Sequence, residues 1–279
     1  MISVSESTRI ALIGGGKMGE AIMGGWIASA QAPADALSAV NFTVANPGMP
    51  RREYLERAYG VSTVAQACEI RAADIVVLAV KPQVMMGMLE TIAAVPAYRG
   101  CLFVSIAAGM TTERLQAALP MDARLVRTMP NTPLLVGAGA TSVCGSPSAT
   151  DGDVDLVREL FACLGAAFVV DEGAMDATGA LSGSGPAYVA AMIEALVSAG
   201  VNEGLSAELS EALAIQTVWG TAELLRATGQ TPEQVRVSVC SPGGSTLAAL
   251  AAMDEAGLSR AYEAGVRAAV QRSKELGAC

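Results

Sequence analysis

Ile10-Ala11-Leu12-Ile13-Gly14-Gly15-Gly16-Lys17-Met18-Gly19 carries four apolar residues straight into a G-x-G-x-x-G. A strand that feeds a helix near the start of the chain is the context in which this pattern has physical meaning. Gly14 permits the tight turn, Gly16 lets a pyrophosphate approach the backbone, and Gly19 allows helix and strand to pack closely. The first amides of the helix then face the phosphates. The segment predicts a dinucleotide held by Gly14, Gly15, Gly16, Lys17 and Met18; the other reading is a glycine turn that serves packing alone.

Outward from that turn, residues 9 to 170 alternate short apolar strands with helical stretches, the sequence form of a doubly wound α/β sheet. Strands are expected at 9–13, 41–45, 61–64, 75–80, 102–106, 125–128, 140–143 and 168–170. The run 75–80 is apolar throughout, which predicts a central strand buried on both faces. Asp151, Asp153 and Asp155 crowd a helical first turn, where carboxylates meet the positive dipole end, and Gly165 is placed to close that helix. After about Asp171 the strand signals stop. Helices are predicted over 186–203, 206–227, from Pro232, after Gly243 and over 258–276. Thr231-Pro232-Glu233-Gln234 spells an N-cap, a first-turn proline and a capping box. The expected organisation is two domains, a Rossmann-type sheet over 1–170 and an all-helical domain over 171–279.

Helix 206–227 puts Leu209, Leu213, Val218, Trp219, Leu224 and Leu225 on more than one face. That is more apolar surface than a helix on the outside of a monomer needs. A dimer interface or an interior position would each absorb it.

Composition removes several function classes. The 279 residues are 52% hydrophobic but only 4% aromatic, with 29 glycines, so the apolar content is mostly Ala, Val and Leu. Such a chain folds rather than staying disordered. The longest charge-free run, 128–150, holds three prolines, an asparagine and three glycines and reads as strand and loop, so no membrane span is expected. Residues 1–8 show no basic or apolar leader pattern, which makes a cytoplasmic location the expectation. Six cysteines at 68, 101, 144, 163, 240 and 279 form no C-x-x-C pair and are expected as reduced core filler. There is no histidine, which rules out Ser-His-Asp and Cys-His nucleophiles and histidine-bound metals. A net charge of −9 argues against a nucleic-acid partner. Of the 18 basic residues 12 precede residue 171, against 14 of the 27 acidic ones, so an anionic cofactor favours the first part.

Cofactor choice is read at the end of the second strand, where an acid would hold a ribose 2′-hydroxyl. Here the strand ends in Asn46, with Arg51 and Arg52 close behind. An amide and two guanidiniums suit a 2′-phosphate, so NADPH is favoured. The competing reading has both arginines opening a solvated helix with Glu53 and Glu56. Ala79-Val80-Lys81-Pro82 follows the central strand at the edge where open α/β sheets bind ligands, and Lys81 would neutralise cofactor or substrate charge there. Ser105-Ile106-Ala107-Ala108-Gly109 ends the next strand with small residues that admit a flat ring, and Met129-Pro130-Asn131-Thr132-Pro133 follows the one after. Each of these segments is equally compatible with an ordinary turn.

Two glycine-serine loops mark the helical part, Leu181-Ser182-Gly183-Ser184-Gly185-Pro186 and Ser241-Pro242-Gly243-Gly244-Ser245-Thr246. Both open onto helices and present amides that suit a carboxylate. Capping and close packing suffice for the first. The double glycine between hydroxyl residues in the second exceeds what a cap needs.

Together these segments resemble pyrroline-5-carboxylate reductase over nearly the whole chain. Gly-Ser-Gly-Pro-Ala-Tyr at 183–188 and Ser-Pro-Gly-Gly-Ser-Thr at 241–246 are the specific elements. The resemblance implies a Rossmann domain followed by a helical dimerisation domain, and reduction of 1-pyrroline-5-carboxylate to L-proline with NADPH or NADH. It implies that Ser241, Gly243, Gly244, Ser245 and Thr246 grip the substrate carboxylate, with Thr246 near the imine nitrogen as hydrogen-bond partner or proton donor. Ala79, Val80, Lys81, Pro82, Ala107, Ala108 and Asn131 would line the nicotinamide half, and the substrate loop would come from either subunit of a homo-oligomer. A protonated cyclic imine is already activated, so positioning carries the catalysis and no histidine is required. Three positions depart from the pattern: Lys17 stands where Asn or Gln is common, Gln66 where an adenine-side asparagine is common, and Cys240 where a small hydroxyl is usual. The alternatives are another NADP-dependent reductase of a small hydroxy or keto acid, for which the helical part offers only Lys274, and a non-catalytic NADP-binding regulator.

Overall fold

The computed structural model describes residues 4–278; the first three residues of the stretch read for a leader, and Cys279, lie outside them. The chain divides into two compact units. The first runs through Ser184 and takes in the chain again from Ala269, and the second is Gly185–Ala268.

The first unit is built on one eight-stranded sheet. Its strands are β1 (Ile10–Ile13), β2 (Phe42–Ala45), β3 (Ser62–Val64), β4 (Ile75–Leu78), β5 (Leu102–Ser105), β6 (Arg124–Met129), β7 (Gly139–Gly145) and β8 (Gly165–Val169). The order is β3-β2-β1-β4-β5-β6-β7-β8. Neighbours from β3 through to β6 pair in parallel; β7 turns antiparallel to β6, and β8 runs parallel to β7. All eight expected strands form, and β4 is fully buried in mid-sheet. Alternation along the strands sends Ile10, Leu12, Ile75 and Val77 into one core and Ala11, Ile13, Val76 and Leu78 into the other. The order reverses between β1 and β4, the switch point at which such sheets take a dinucleotide.

Helices α1 (Lys17–Ile27), α2 (Met49–Tyr59), α3 (Pro82–Ala93), α4 (Thr112–Ala118) and α5 (Asp151–Ala162) cover the sheet. The Trp26 indole of α1 donates to the Leu160 carbonyl at 2.8 Å and meets Phe161 edge-on, which ties α1 to α5. At the start of α5, Thr150 and Asp153 form a capping box, and Asp153 also takes a bond of 2.5 Å from Arg124. Gly165 does not close this helix as its position suggested. Cys163 is the C-cap, and Gly165 opens β8 at φ +144°, where a side chain would strike the Gly139 backbone. The five described cysteines are free thiols, but only Cys101 and Cys144 are core residues. Burial pushes both thiols up to about 11.

After β8 come α6 (Met175–Thr178) and a π-helical turn, Gly179–Gly183. The first glycine-serine segment is therefore wound rather than looped. The second unit holds α7 (Gly185–Asn202), α8 (Ala207–Thr228), α9 (Pro232–Ser238), α10 (Ser245–Glu255) and the start of α11 (Leu258–Ala278). The predicted capping box of Thr231 and Gln234 forms at α9. Leu213 is 51% and Trp219 60% exposed on α8, so this helix is not an interior one within a single chain. No membrane span was expected from the sequence, but among the described residues the helical stretch Glu172–Asn202 is long and apolar enough to cross a membrane by length and composition.

Candidate active site

The glycine turn sits on the switch point. Gly14 adopts φ +106°, and a Cβ there would lie 2.5 Å from the Ala79 carbonyl oxygen, so a side chain is excluded twice over. A Cβ on Gly19 would collide with the Gly14 carbonyl, which is why helix and strand can approach here. Gly16 differs: a Cβ on it would meet nothing within 4 Å. It is the N-cap of α1 and offers no side chain to the amides behind it. The turn thus fits a pyrophosphate, since the one glycine not required by packing faces open space at an uncapped helix end.

Capping separates eight of the helices into two groups; α6, which continues the turn at Glu172–Ala174, also begins without a side-chain cap. Thr111, Thr150, Ser206 and Thr231 each accept a backbone N–H with their hydroxyls at the starts of α4, α5, α8 and α9. No side chain caps α1, α2, α3 or α10, which begin after Gly16, Gly48, Lys81 and Gly244. Unpaired amides at a helix start are usually taken by a side chain, water or ligand. Each of these four open starts follows a segment read from the sequence as ligand-binding, although 105–109 and 129–133, read the same way, open none of them.

Around the first three, Ala79 receives no side chain from the turn but its N–H reaches the Ile13 carbonyl at 2.8 Å, locking β4 to β1 at the site. Val80 and Pro82 are half-buried and Lys81 exposed. Asn46 donates from its amide to the Gly48 carbonyl at 3.3 Å, and Arg52 Nη1 donates to the Asn46 and Pro47 carbonyls at 2.8 Å each. Arg51 turns the other way. Its Nε donates to the Gly15 carbonyl at 2.5 Å, and its Nη2 pairs with Glu20. Neither arginine pairs with Glu53 or Glu56 among the described residues. Ala107 is buried, with its N–H on Ser105 Oγ at 3.3 Å, while Ala108 is exposed. Asn131 donates to the Ser182 carbonyl at 3.0 Å and accepts from the Ala140 N–H at 2.8 Å, so its side chain pins the π-helical turn.

In the second unit, Ser241-Pro242-Gly243-Gly244-Ser245-Thr246 folds back on itself. Gly244 N–H reaches the Ser241 carbonyl at 3.0 Å, Gly243 takes φ +71°, and Ser245 opens α10. A side chain on Gly244 would strike Ser241 Oγ. Ser241, Gly243 and Ser245 are exposed and Thr246 half-buried, so backbone and hydroxyl donors are presented together. This suits a small carboxylate.

Two groups were not legible in the sequence. Glu20, Tyr54 and Tyr59 gather beside the glycine turn, with both tyrosine hydroxyls donating to Glu20 at 2.9 and 3.0 Å. Arg127, whose side chain is 4% exposed in mid-strand, pairs with Glu172 and lines a cavity of about 300 Å³ beside Ala108, Met129 and Ser184. An arginine in the middle of the predicted strand 125–128 was the available signal for the second; nothing marked the first.

Comparisons with known proteins address both units. Residues 172–276 match the family described as pyrroline-5-carboxylate reductase dimerisation, and residues 9–109 match that described as NADP oxidoreductase, coenzyme F420-dependent. A pyrroline-5-carboxylate reductase of Synechocystis sp. is 40% identical, over 97% of this chain and 99% of its own. That of Escherichia coli is 36% identical over 96% and 98%. Among solved structures, the Coxiella burnetii pyrroline-5-carboxylate reductase superposes with a TM-score of 0.88 at 33% identity, covering 97% of this chain and 98% of that one. The Plasmodium falciparum pyrroline carboxylate reductase, solved with NADP bound, gives 0.85 at 31% identity over 98% and 99%. Identity of 36–40% over 96–97% of the chain, spanning both units, shows that the chain belongs to the pyrroline-5-carboxylate reductase family.

Proposed function

We infer that the chain is a homo-oligomeric oxidoreductase that reduces 1-pyrroline-5-carboxylate to L-proline with NADPH or NADH, the closing step of proline biosynthesis. The observation that carries this reading is the uncapped start of α10, where Ser241–Thr246 offers clustered donors on a unit whose α8 and α9 starts are both capped by their own side chains. In a family of imine reductases such a cluster suits the substrate carboxylate.

Gly14, Gly15, Gly16, Lys17 and Met18 would hold the cofactor pyrophosphate, Asn46 and Arg52 the adenosine ribose end, and Ala79, Val80, Lys81, Pro82, Ala107, Ala108 and Asn131 the nicotinamide side. Bound there, the reduced nicotinamide supplies a hydride to the carbon of the C=N bond. The chain's own residues do the rest by positioning. Ser241, Gly243, Gly244 and Ser245 fix the carboxylate, and the Thr246 hydroxyl hydrogen-bonds the ring nitrogen that ends as the proline amine. Substrate entering as the protonated imine brings its own proton, so no titrating acid is needed. In this reading the functional boundary lies near 170/171, the apolar face of α8 is covered by a second copy, and the protein works in the cytoplasm without nucleic-acid or membrane partners.

The test is spectrophotometric loss of NADPH, then of NADH, with pyrroline-5-carboxylate as acceptor. Oxidation that depends on the imine is expected with NADPH the better donor; no oxidation of either nucleotide would overturn the assignment.

A further inference from the structure

The Arg51 guanidinium does not point away from the fold toward a 2′-phosphate. Its Nε holds the Gly15 carbonyl, its Nη2 is paired with Glu20, and the group lies over the Tyr54 ring, 5.0 Å from the centroid. Glu20 is in turn fixed from three sides, by Arg51 and by the hydroxyls of Tyr54 and Tyr59, and is only 17% exposed. Gly24, one turn further along α1, admits the Tyr59 ring; a Cβ there would lie 2.8 Å from it. The cluster therefore joins α1 and α2 around one carbonyl of the glycine turn.

That carbonyl matters because a trans peptide is planar, with its C=O and the following N–H pointing in opposite directions. A donor that fixes the Gly15 oxygen on the α2 side also fixes the Gly16 N–H on the opposite side. No protein acceptor takes the Gly16 N–H among the described residues, and the space at Gly16 is open. We propose that Glu20 and Arg51 are positioning residues, in which Glu20 holds Arg51 on the Gly15 carbonyl so that the Gly16 amide is aimed at the cofactor pyrophosphate. Arg51 then serves the part that NADPH and NADH share, and discrimination by the 2′-phosphate falls to Arg52 and Asn46. This rests on the reading of the chain as a nicotinamide-dependent reductase.

The experiment measures NADPH and NADH dissociation constants by calorimetry, without substrate, for wild type, R51A, R51K, E20Q and Y59F, with a thermal melt of each. R51K keeps a charge opposite Glu20 but lacks the Nε donor, so it tests the brace if R51A folds poorly. R51A, R51K and E20Q are each expected to weaken both nucleotides by the same factor, about three- to tenfold. Y59F loosens the cluster without touching Arg51, so it is expected to lower the melting temperature and leave both constants unchanged. Selective weakening of NADPH in the Arg51 variants would return Arg51 to the 2′-phosphate and overturn the proposal. So would constants that stay at wild type in all three, or that track melting temperature through Y59F. Failure of wild type to bind either nucleotide would instead remove the reductase reading itself.

Discussion

The two glycine turns proposed to bind ligands are built from the same parts and set in opposite surroundings. Gly14–Gly19 lies at the ends of β1 and β4, strands buried on both faces, and its carbonyls and glycine hydrogens abut Ala79, α2 and one another. Ser241–Thr246 lies on a unit in which only Ser210, Ala214 and Val235 are buried, and it is stiffened by little beyond its own Gly244–Ser241 bond. A site on a closed core is complete within one chain. A site on helices that expose Leu209, Leu213, Ile215, Trp219 and Leu224 is finished by whatever covers those side chains. On the proposed function, the two halves of the reaction would then differ in what they depend on: the cofactor half on folding, the substrate half on assembly.

The sharpest way to break this contrast is to block assembly alone. Leu213→Asp with Trp219→Asp places two charges on the exposed face of α8, where neither residue supports a monomer core. Sedimentation should show a smaller species, turnover should fall below detection, and NADPH should still bind as in wild type. Turnover surviving in a monomer would mean that the second unit needs no partner. Next in size, Thr246→Ala is expected to lower kcat by about 10²-fold through loss of one donor at the reacting nitrogen, with NADPH affinity unchanged. Unchanged kcat would remove this hydroxyl from the mechanism.

The cofactor half should fail differently. Gly14→Ala forces a side chain into φ +106° and against the Ala79 carbonyl, and is expected to cost about 1–3 kcal/mol in denaturant unfolding as well as cofactor binding. Gly16→Ala meets open space, so unfolding should move by no more than about 0.5 kcal/mol while both nucleotides bind more weakly. If the two alanines behaved alike, the division between a packing glycine and a ligand-facing glycine would be wrong.

How far the sequence could be read follows the same division. Strands buried on both faces are spelled by uninterrupted apolar runs, so Ile75–Leu78 and its neighbours were legible, as was the cap at Thr231, which needs only local spacing. Gly165 misled because a glycine after a helix signals a C-cap, whereas here the demand is set by Gly139 across the strand pair β7–β8. The segment 181–186 misled because a π-helical turn has the composition of a loop. Arg51 was read as a cation for a 2′-phosphate, and its orientation toward Gly15 and Glu20 was not legible. The partner that turns it, Glu20, lies 31 residues earlier on another helix, and no periodicity records that contact.

The smallest expected effect concerns that same carboxylate and its charge. Burial works to raise the Glu20 pKa, but the bonds from Arg51, Tyr54 and Tyr59 outweigh it and hold the group below the ordinary glutamate range. Partial burial, and then the hydrogen bond to Glu20, push the half-buried Tyr59 hydroxyl up to about 12. A carboxylate whose native pKa is depressed stabilises the fold fully above its unfolded-state value, about 4.3, and loses that contribution as pH falls through the lower native value. E20Q keeps an acceptor for the tyrosines and has no charge to lose. The melting temperature of wild type should therefore exceed that of E20Q at pH 7, with a gap that narrows as pH falls below about 4. Asp74, held low chiefly by its hydrogen bond from Arg9, titrates over a similar range but alike in both proteins, so the difference isolates Glu20. A gap of equal size at pH 7 and at pH 3.5 would mean that the cluster is held by hydrogen-bond geometry alone. The orientation of Arg51 would then owe nothing to the charge of Glu20, and the cofactor half would lose the electrostatic part of its self-sufficiency.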